Sequence, residues 1–234
     1  FVGQENVTRW WISNDVGDSF TAGDSTPHHI IDFDFDPLDS DIIYVGTDHA
    51  VFKSLDAGMT WTSLGDNGLP AWGPPSATAG AVVSDPHHSG TVYAGFLYGV
   101  FNSIWGVYKT TDGGDSWVAK NAGLPEGGYP LQDRAIDDLA IARSDSDVLY
   151  AVLAFLPKIF KTTDGAESWV EIVSETFTDR FNTAGASPRT VVVDPQDSRR
   201  LFVSTQEYKV VFSNDGGRNF QDLGYFPEVE ELDG

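Results

Sequence analysis

The chain has no cysteine, one methionine, and only 14 lysine and arginine residues against 35 aspartate and glutamate residues. Each shortage excludes something. Without thiols there is no disulfide framework, no cysteine-based zinc site and no cysteine nucleophile. A formal net charge of −21 gives a surface that repels nucleic acid and anionic lipid, so neither is expected as a partner. It also suits an extracellular or periplasmic setting. No apolar run reaches the roughly 18 residues of a membrane span, so no membrane insertion is expected. The chain opens at Phe1 without an initiator methionine or a leader pattern, which reads as a mature or excised segment.

What the chain does have is aromatic residues (13%), 24 glycines and 12 prolines in 234 residues. That mixture favours strands and tight turns over helices. One short pattern recurs: [Ser/Thr]-x-Asp-x-Gly-x-[Ser/Thr/Asn]-[Trp/Phe]. It is found at Ser13–Phe20, Ser54–Trp61, Thr110–Trp117, Thr162–Trp169 and Ser213–Phe220, with Ala166 standing where the fourth copy should have glycine. The aspartates are Asp15, Asp56, Asp112, Asp164 and Asp215, separated by 41, 56, 52 and 51 residues. A tight hairpin leaves backbone N–H groups without partners at its bend, and a short carboxylate can accept them. Glycine supplies the positive φ that the bend needs. The aromatic residue opens the returning strand and covers the turn.

A second element precedes four of the copies: Phe35-Asp-Pro37, Ser84-Asp-Pro86, Ala142-Arg-Ser144 and Val193-Asp-Pro195, each followed by a strand-like apolar run. The unit therefore reads strand, turn, strand, link, strand, hairpin, strand. A period of about 40–50 residues with four antiparallel strands per repeat indicates propeller blades. The units span about 1–25 (two strands only), 26–70, 71–125, 126–183 and 184–224, followed by an acidic tail at 225–234. The expected fold is an all-β propeller, present as a single domain or as part of a larger ring.

The hairpin pattern resembles the Asp-box, or BNR, repeat. This repeat occurs in sialidases, xyloglucan-cleaving glycosidases, sortilin-type receptors and photosystem II assembly factors, where it joins the third and fourth strands of a blade. The resemblance covers nearly the whole chain. It implies a propeller but is shared by binding proteins and enzymes alike. The missing cysteines argue against a sortilin-type receptor, and the Arg-Ile-Pro motif of sialidases is absent.

Candidate binding residues cluster at the starts of the innermost strands. There His28, His29, Arg134, Asp137 and Arg189 would surround one mouth of the propeller, either to meet a ligand or to pair with each other and with channel water. Trp72 and Trp105, with Phe96 and Tyr98, lie in the least repetitive stretches and are expected either to be exposed surfaces for a sugar ring or a protein anchor, or to cap the third blade's own core. Asp48, in Gly-Thr-Asp48-His, is similar to the segment carrying one catalytic carboxylate in the xyloglucan-cleaving glycosidases. Such enzymes need a second carboxylate across the scissile bond, and no partner for Asp48 is evident in the sequence. The five motif aspartates are expected to be structural. The acidic turns at 36–41 and 145–147 offer oxygen ligands for a possible Ca²⁺, and no other cofactor is expected. The leading expectation is a non-catalytic extracytoplasmic propeller that binds protein or carbohydrate, completed by further blades or chains. The alternative is a glycoside hydrolase using Asp48.

Overall fold

A computed structural model describes residues 11–13, 15–23, 28–65, 67–69, 78–98, 105–126, 134–154, 156, 158–172, 188–205 and 209–225. Every regular element among them is a strand. A two-stranded ribbon, blade I, joins β1 (Trp11–Ile12) to β2 (Thr21–Ala22). Four antiparallel four-stranded sheets follow. Blade II holds β3 (Ile30–Phe35), β4 (Ile43–Thr47), β5 (Val51–Ser54) and β6 (Thr62–Ser63). Blade III holds β7 (Thr78–Ser84), β8 (Val92–Tyr98), β9 (Gly106–Thr110) and β10 (Val118–Ala119). Blade IV holds β11 (Ile136–Ala142), β12 (Asp145–Leu153), β13 (Ile159–Thr162) and β14 (Val170–Glu171). Blade V holds β15 (Pro188–Asp194), β16 (Asp197–Thr205), β17 (Lys209–Ser213) and β18 (Gln221–Tyr225). In each sheet the strands lie in sequence order, as in propeller blades.

The blades stack face to face, β3 and β4 on β7, β7 and β8 on β11, β11 and β12 on β15. Each interface is an apolar layer. Tyr44, Val82, Phe96 and Trp117 fill the one between II and III, Tyr93, Ile136, Leu149 and Trp169 the next, and Tyr150, Val191, Leu201 and Phe220 the last. Strand alternation sends Ile43 and Val45 to the opposite face of blade II, with Phe52. Gly46 is required by the approach of blade III, since a Cβ there would lie 2.6 Å from the Ala79 carbonyl oxygen. No strand of blade V packs comparably on blade I or II among the described residues, so the array is an open arc. Its ends leave apolar side chains in solvent: Phe33 and Phe35 on β3, Val192 and Phe202 on blade V.

The hairpins are built alike. In each, the Ser or Thr hydroxyl donates to Asp Oδ1, at 2.6–2.8 Å. The Asp oxygens then accept the backbone N–H and the side chain of the residue four positions on. The two residues after the Asp both take positive φ, Gly113 at 72° and Gly114 at 98° for instance. Ala166 adopts the same conformation at φ 71°, so the substitution leaves the turn intact. Hydrogen bonds from Ser116 and Thr110 hold the Asp112 carboxyl at a pKa of about 2, and those from Ser168 and Thr162 do the same for Asp164. These aspartates are structural acceptors.

The innermost strands are tied by carboxylates. Asp32 accepts the Val82 N–H at 2.7 Å, Asp34 the Ser84 N–H at 2.8 Å, and Asp138 the Val191 N–H at 2.7 Å. Each bond satisfies a ladder donor on the free side of the next blade's inner strand. Burial raises the pKa of all three, Asp138 to about 7.

Candidate functional site

The hairpins lie at one end of the strands. At the other end the inner strands begin, and the links between second and third strands turn. Blade II brings two such segments together. The turn from Thr47 to Ala50 is held by the Thr47 hydroxyl, which donates to the Ala50 carbonyl at 2.9 Å and accepts the His49 and Ala50 N–H groups. This leaves Asp48 and His49 at the tip. The segment before β3 docks on them: the His29 N–H donates to Asp48 Oδ1 at 3.1 Å, and the Asp48 N–H returns a bond to the His29 carbonyl at 3.1 Å.

The result is a compact polar cluster. His49 Nδ1 lies 3.1 Å from Asp48 Oδ1 and His28 Nδ1 lies 3.9 Å from the same oxygen. The two imidazoles stack with centroids 3.9 Å apart and planes 17° from parallel, and His28 rests on Phe52. Asp48 and His49 are open to solvent, while His28 is largely covered. The cluster presents a carboxylate oxygen and ring nitrogens to one spot, a set suited to hydroxyl groups. Its donor atoms lie within 4.8 Å of one another, so the three side chains could also hold a metal ion. An imidazole binds a metal in its own plane, however, and near-parallel rings cannot both point at one ion until His49 turns.

The other expected site residues divide. His29 contributes its backbone and exposes its side chain. Arg189 reaches back from β15 to Asp137, 2.9 Å away, and so bridges blades IV and V at the same end. Arg134 is half-buried: it packs against Gly106, and burial lowers its pKa. Arg134 therefore braces blade IV on blade III. The exposed-aromatic expectation fails for Trp105, which is 4% exposed, and for Phe96, which sits edge-on to Tyr108 in the core. Phe96 lies within β8 and fills the layer between blades II and III, and Trp105 is buried just before β9. Trp72 lies outside the described residues, as do the links around it. The acidic turns considered for Ca²⁺ use their carboxylates locally: Asp36, Asp39 and Asp145 each accept an N–H within their own turn. Asp36 also reaches Ser89 and Gly90 of blade III. Sequence reasoning missed His49, although it adjoins Asp48; nothing in the repeat pattern marked it.

No family model matches the chain. It is similar to a xyloglucanase from Hypocrea jecorina, 26% identical over 174 residues, covering 70% of this chain and 19% of that protein. A probable oligoxyloglucan-reducing end-specific xyloglucanase from Neosartorya fischeri is 29% identical over 141 residues, covering 54% of this chain and 15% of that one. The chain thus spans about a fifth or less of the length of these relatives. Among solved structures, the GH74 enzyme of Niastella koreensis superposes with a TM-score of 0.69 at 22% identity, over 92% of this chain and 34% of the other. YCF48 bound to a D1 peptide superposes with a TM-score of 0.58 at 15% identity, over 91% and 60%. The fold these two structures share with the chain is the β-propeller.

Proposed function

We propose that this chain is the binding part of an extracytoplasmic propeller, with the Asp48–His28–His49 mouth as a carbohydrate site that does not hydrolyse its ligand unaided. The observation that carries this reading is the setting of Asp48. Its carboxylate is held by the His29 N–H and flanked by imidazoles, where it can accept hydroxyl protons. Glycoside hydrolysis needs a second carboxylate across the bond, about 5–9.5 Å away, and the side chains that meet the Asp48 carboxylate among the described residues include those of His28 and His49. The apolar faces at both ends of the arc fit further blades, or another chain, completing the ring.

A titration with xyloglucan oligosaccharides tests the proposal. Binding without release of reducing ends is expected, weakened at least tenfold in Asp48→Ala with the melting temperature nearly unchanged. The similarity to xyloglucanases supports a second reading, in which Asp48 is one of two catalytic carboxylates and the other lies beyond this chain. Reducing-end release that Asp48→Ala abolishes would replace the first reading with the second.

A further inference from the structure

The grooves between successive blades at the hairpin end can be compared position by position, because the registers coincide. Leu149 pairs with Thr162 in blade IV as Leu201 pairs with Ser213 in blade V, and the turn N–H groups of Gly165 and Gly216 donate to the carbonyls of Asp147 and Arg199. Three grooves carry the same pair of side chains. Lys53 lies over Tyr44, Lys109 over Tyr93 and Lys161 over Tyr150, at 5.1–5.4 Å. In the first two the ammonium also reaches the next hairpin, donating to the Gly113 carbonyl at 3.0 Å and the Gly165 carbonyl at 3.1 Å. Lys161 has no such bond among the described residues.

The groove between blades IV and V departs from its neighbour at three further positions. Between III and IV, Lys120 and Glu167 form an ion pair across the groove, and Asp147 stands beside Lys109 at Gly165. The corresponding residues between IV and V are Ile172, Arg218 and Arg199. Two acids have become arginines, and the closing ion pair is gone. The space follows the chemistry: about 630 Å³ between IV and V, against about 180 Å³ between III and IV. Lys161, Arg199 and Arg218 line the larger cleft with Asn214, Thr163 and Ile172. Burial and the nearby Arg218 depress the Lys161 ammonium, against an opposing pull from Asp145. Glu171 and Asp215, the acids of the lining, are engaged by Lys158 and by the hairpin. Arg199 is anchored through Nε and Nη2 to Asp197.

We propose that the cleft between blades IV and V is a binding site for an acidic peptide segment, whose carboxylates pair with Arg218 and Lys161. A volume of this size holds a few residues rather than a lone ion. β14, the outermost strand of blade IV, forms one wall; among the described residues its outer row of backbone groups has no partner within the sheet, and Val170 on it is 70% exposed. A peptide satisfies such an edge and the cations together, whereas an acidic glycan addresses only the cations. The site is at the opposite end of the blades from Asp48 and is independent of the carbohydrate reading.

Calorimetric titration of the intact chain with hexaglutamate, at low and at physiological salt, tests the assignment. One-to-one binding is expected, weakening with salt. It should weaken at least tenfold in Arg218→Glu and several-fold in Lys161→Gln, with the melting temperatures of both variants near wild type. Ile172→Lys combined with Arg218→Glu restores the pair found in the neighbouring groove and should abolish binding while keeping the fold. No binding, or binding indifferent to Arg218→Glu and to the double variant, overturns the proposal. Tri-galacturonic acid binding more tightly than hexaglutamate, with the same dependence on Arg218, also overturns it and assigns the cleft to an acidic glycan.

Discussion

The two ends of the blades are built on different rules. At the hairpin end every blade repeats one arrangement, and its polar atoms are spent on the turn itself or on the neighbouring blade. At the opposite end each blade goes its own way: blade II gathers histidines around Asp48, blades IV and V meet through Arg189 and Asp137, and blade III turns Trp105 inward. Repetition marks the groups that hold the ring together, and divergence marks where a ligand can be met. The wide cleft between blades IV and V follows the same logic at the hairpin end, because it lies where the repeat is broken by Arg199 and Arg218.

The largest expected effect lies at the hairpin end, in the connections between blades. The carbonyls of Asn67 and Ala122 accept the N–H groups of Trp117 and Trp169, and each is followed by glycine. Gly123 has φ 90°, and a Cβ there would lie 2.0 Å from the Trp169 carbonyl oxygen. Gly123→Ala should therefore cost about 3 kcal/mol or more, combining backbone strain with a clash against main chain. Urea unfolding measures it, and a loss below about 1 kcal/mol would show that this end yields more easily than its uniformity suggests.

Next in size is the contrast between Asp112 and Asp48. Asp112→Ala removes the acceptor for Ser116 and Thr110 and should lower the melting temperature by several degrees. Asp48→Ala, at an open tip, should lower it less and act on binding instead. Equal losses of stability would erase the division between the ends.

The hairpins were legible in the sequence because every bond that defines them is made within five residues. The same holds for the second element, which gave the blade order. What the pattern left unread depends on register between strands. The Tyr44–Lys53, Tyr93–Lys109 and Tyr150–Lys161 pairs join the second and third strands of one blade across links of differing length, and their departure at Phe202 and Phe212 stands out only after pairing. The burial of Trp105 was one of two outcomes open from the sequence, because its link does not repeat and no pattern fixes which way the ring turns. A second linear signal went unused: Gly68-Leu-Pro and Gly123-Leu-Pro repeat after the outer strands, and their leucines are buried.

Titration separates the hairpins from the central strands. Asp112 and Asp164 have folded pKa values of about 2, below the unfolded 3.8. Their contribution is present above pH 3.8 and is lost as pH falls toward 2. Asp138 is opposite in sign: its folded pKa is raised to about 7, so its contribution is complete below pH 3.8 and is lost as pH rises through 7. The melting temperature should therefore fall below pH 3.8 on the acid side and decline on the other side as pH rises from 3.8 to about 7. Asp138→Asn should flatten the upper decline and leave the acid limb unchanged. An upper decline that is unchanged in Asp138→Asn would remove Asp138 as its source and leave it to Asp32 and Asp34, which burial also raises.

The smallest effect concerns blade I, whose hairpin has the same bonds as the others but stands in solvent. Val16 follows Asp15 at φ 59°, fully exposed, in a position taken by Gly113, Gly165 and Gly216 in blades III to V. A β-branched residue in the left-handed region is strained by about 1–2 kcal/mol, while glycine restores backbone entropy to the unfolded chain, at a cost of about 0.5–1 kcal/mol. Val16→Gly loses no buried contact, so the difference, a gain of about 0.5–1 kcal/mol, should be the whole effect. Because blade I lacks inner strands among the described residues, the gain should appear as slower amide exchange at Gly17 and Ser19, with little change in the global melting temperature. A shift of several degrees in the global transition would instead show that blade I folds as one unit with blades II to V, and that the hairpin end is continuous around the arc.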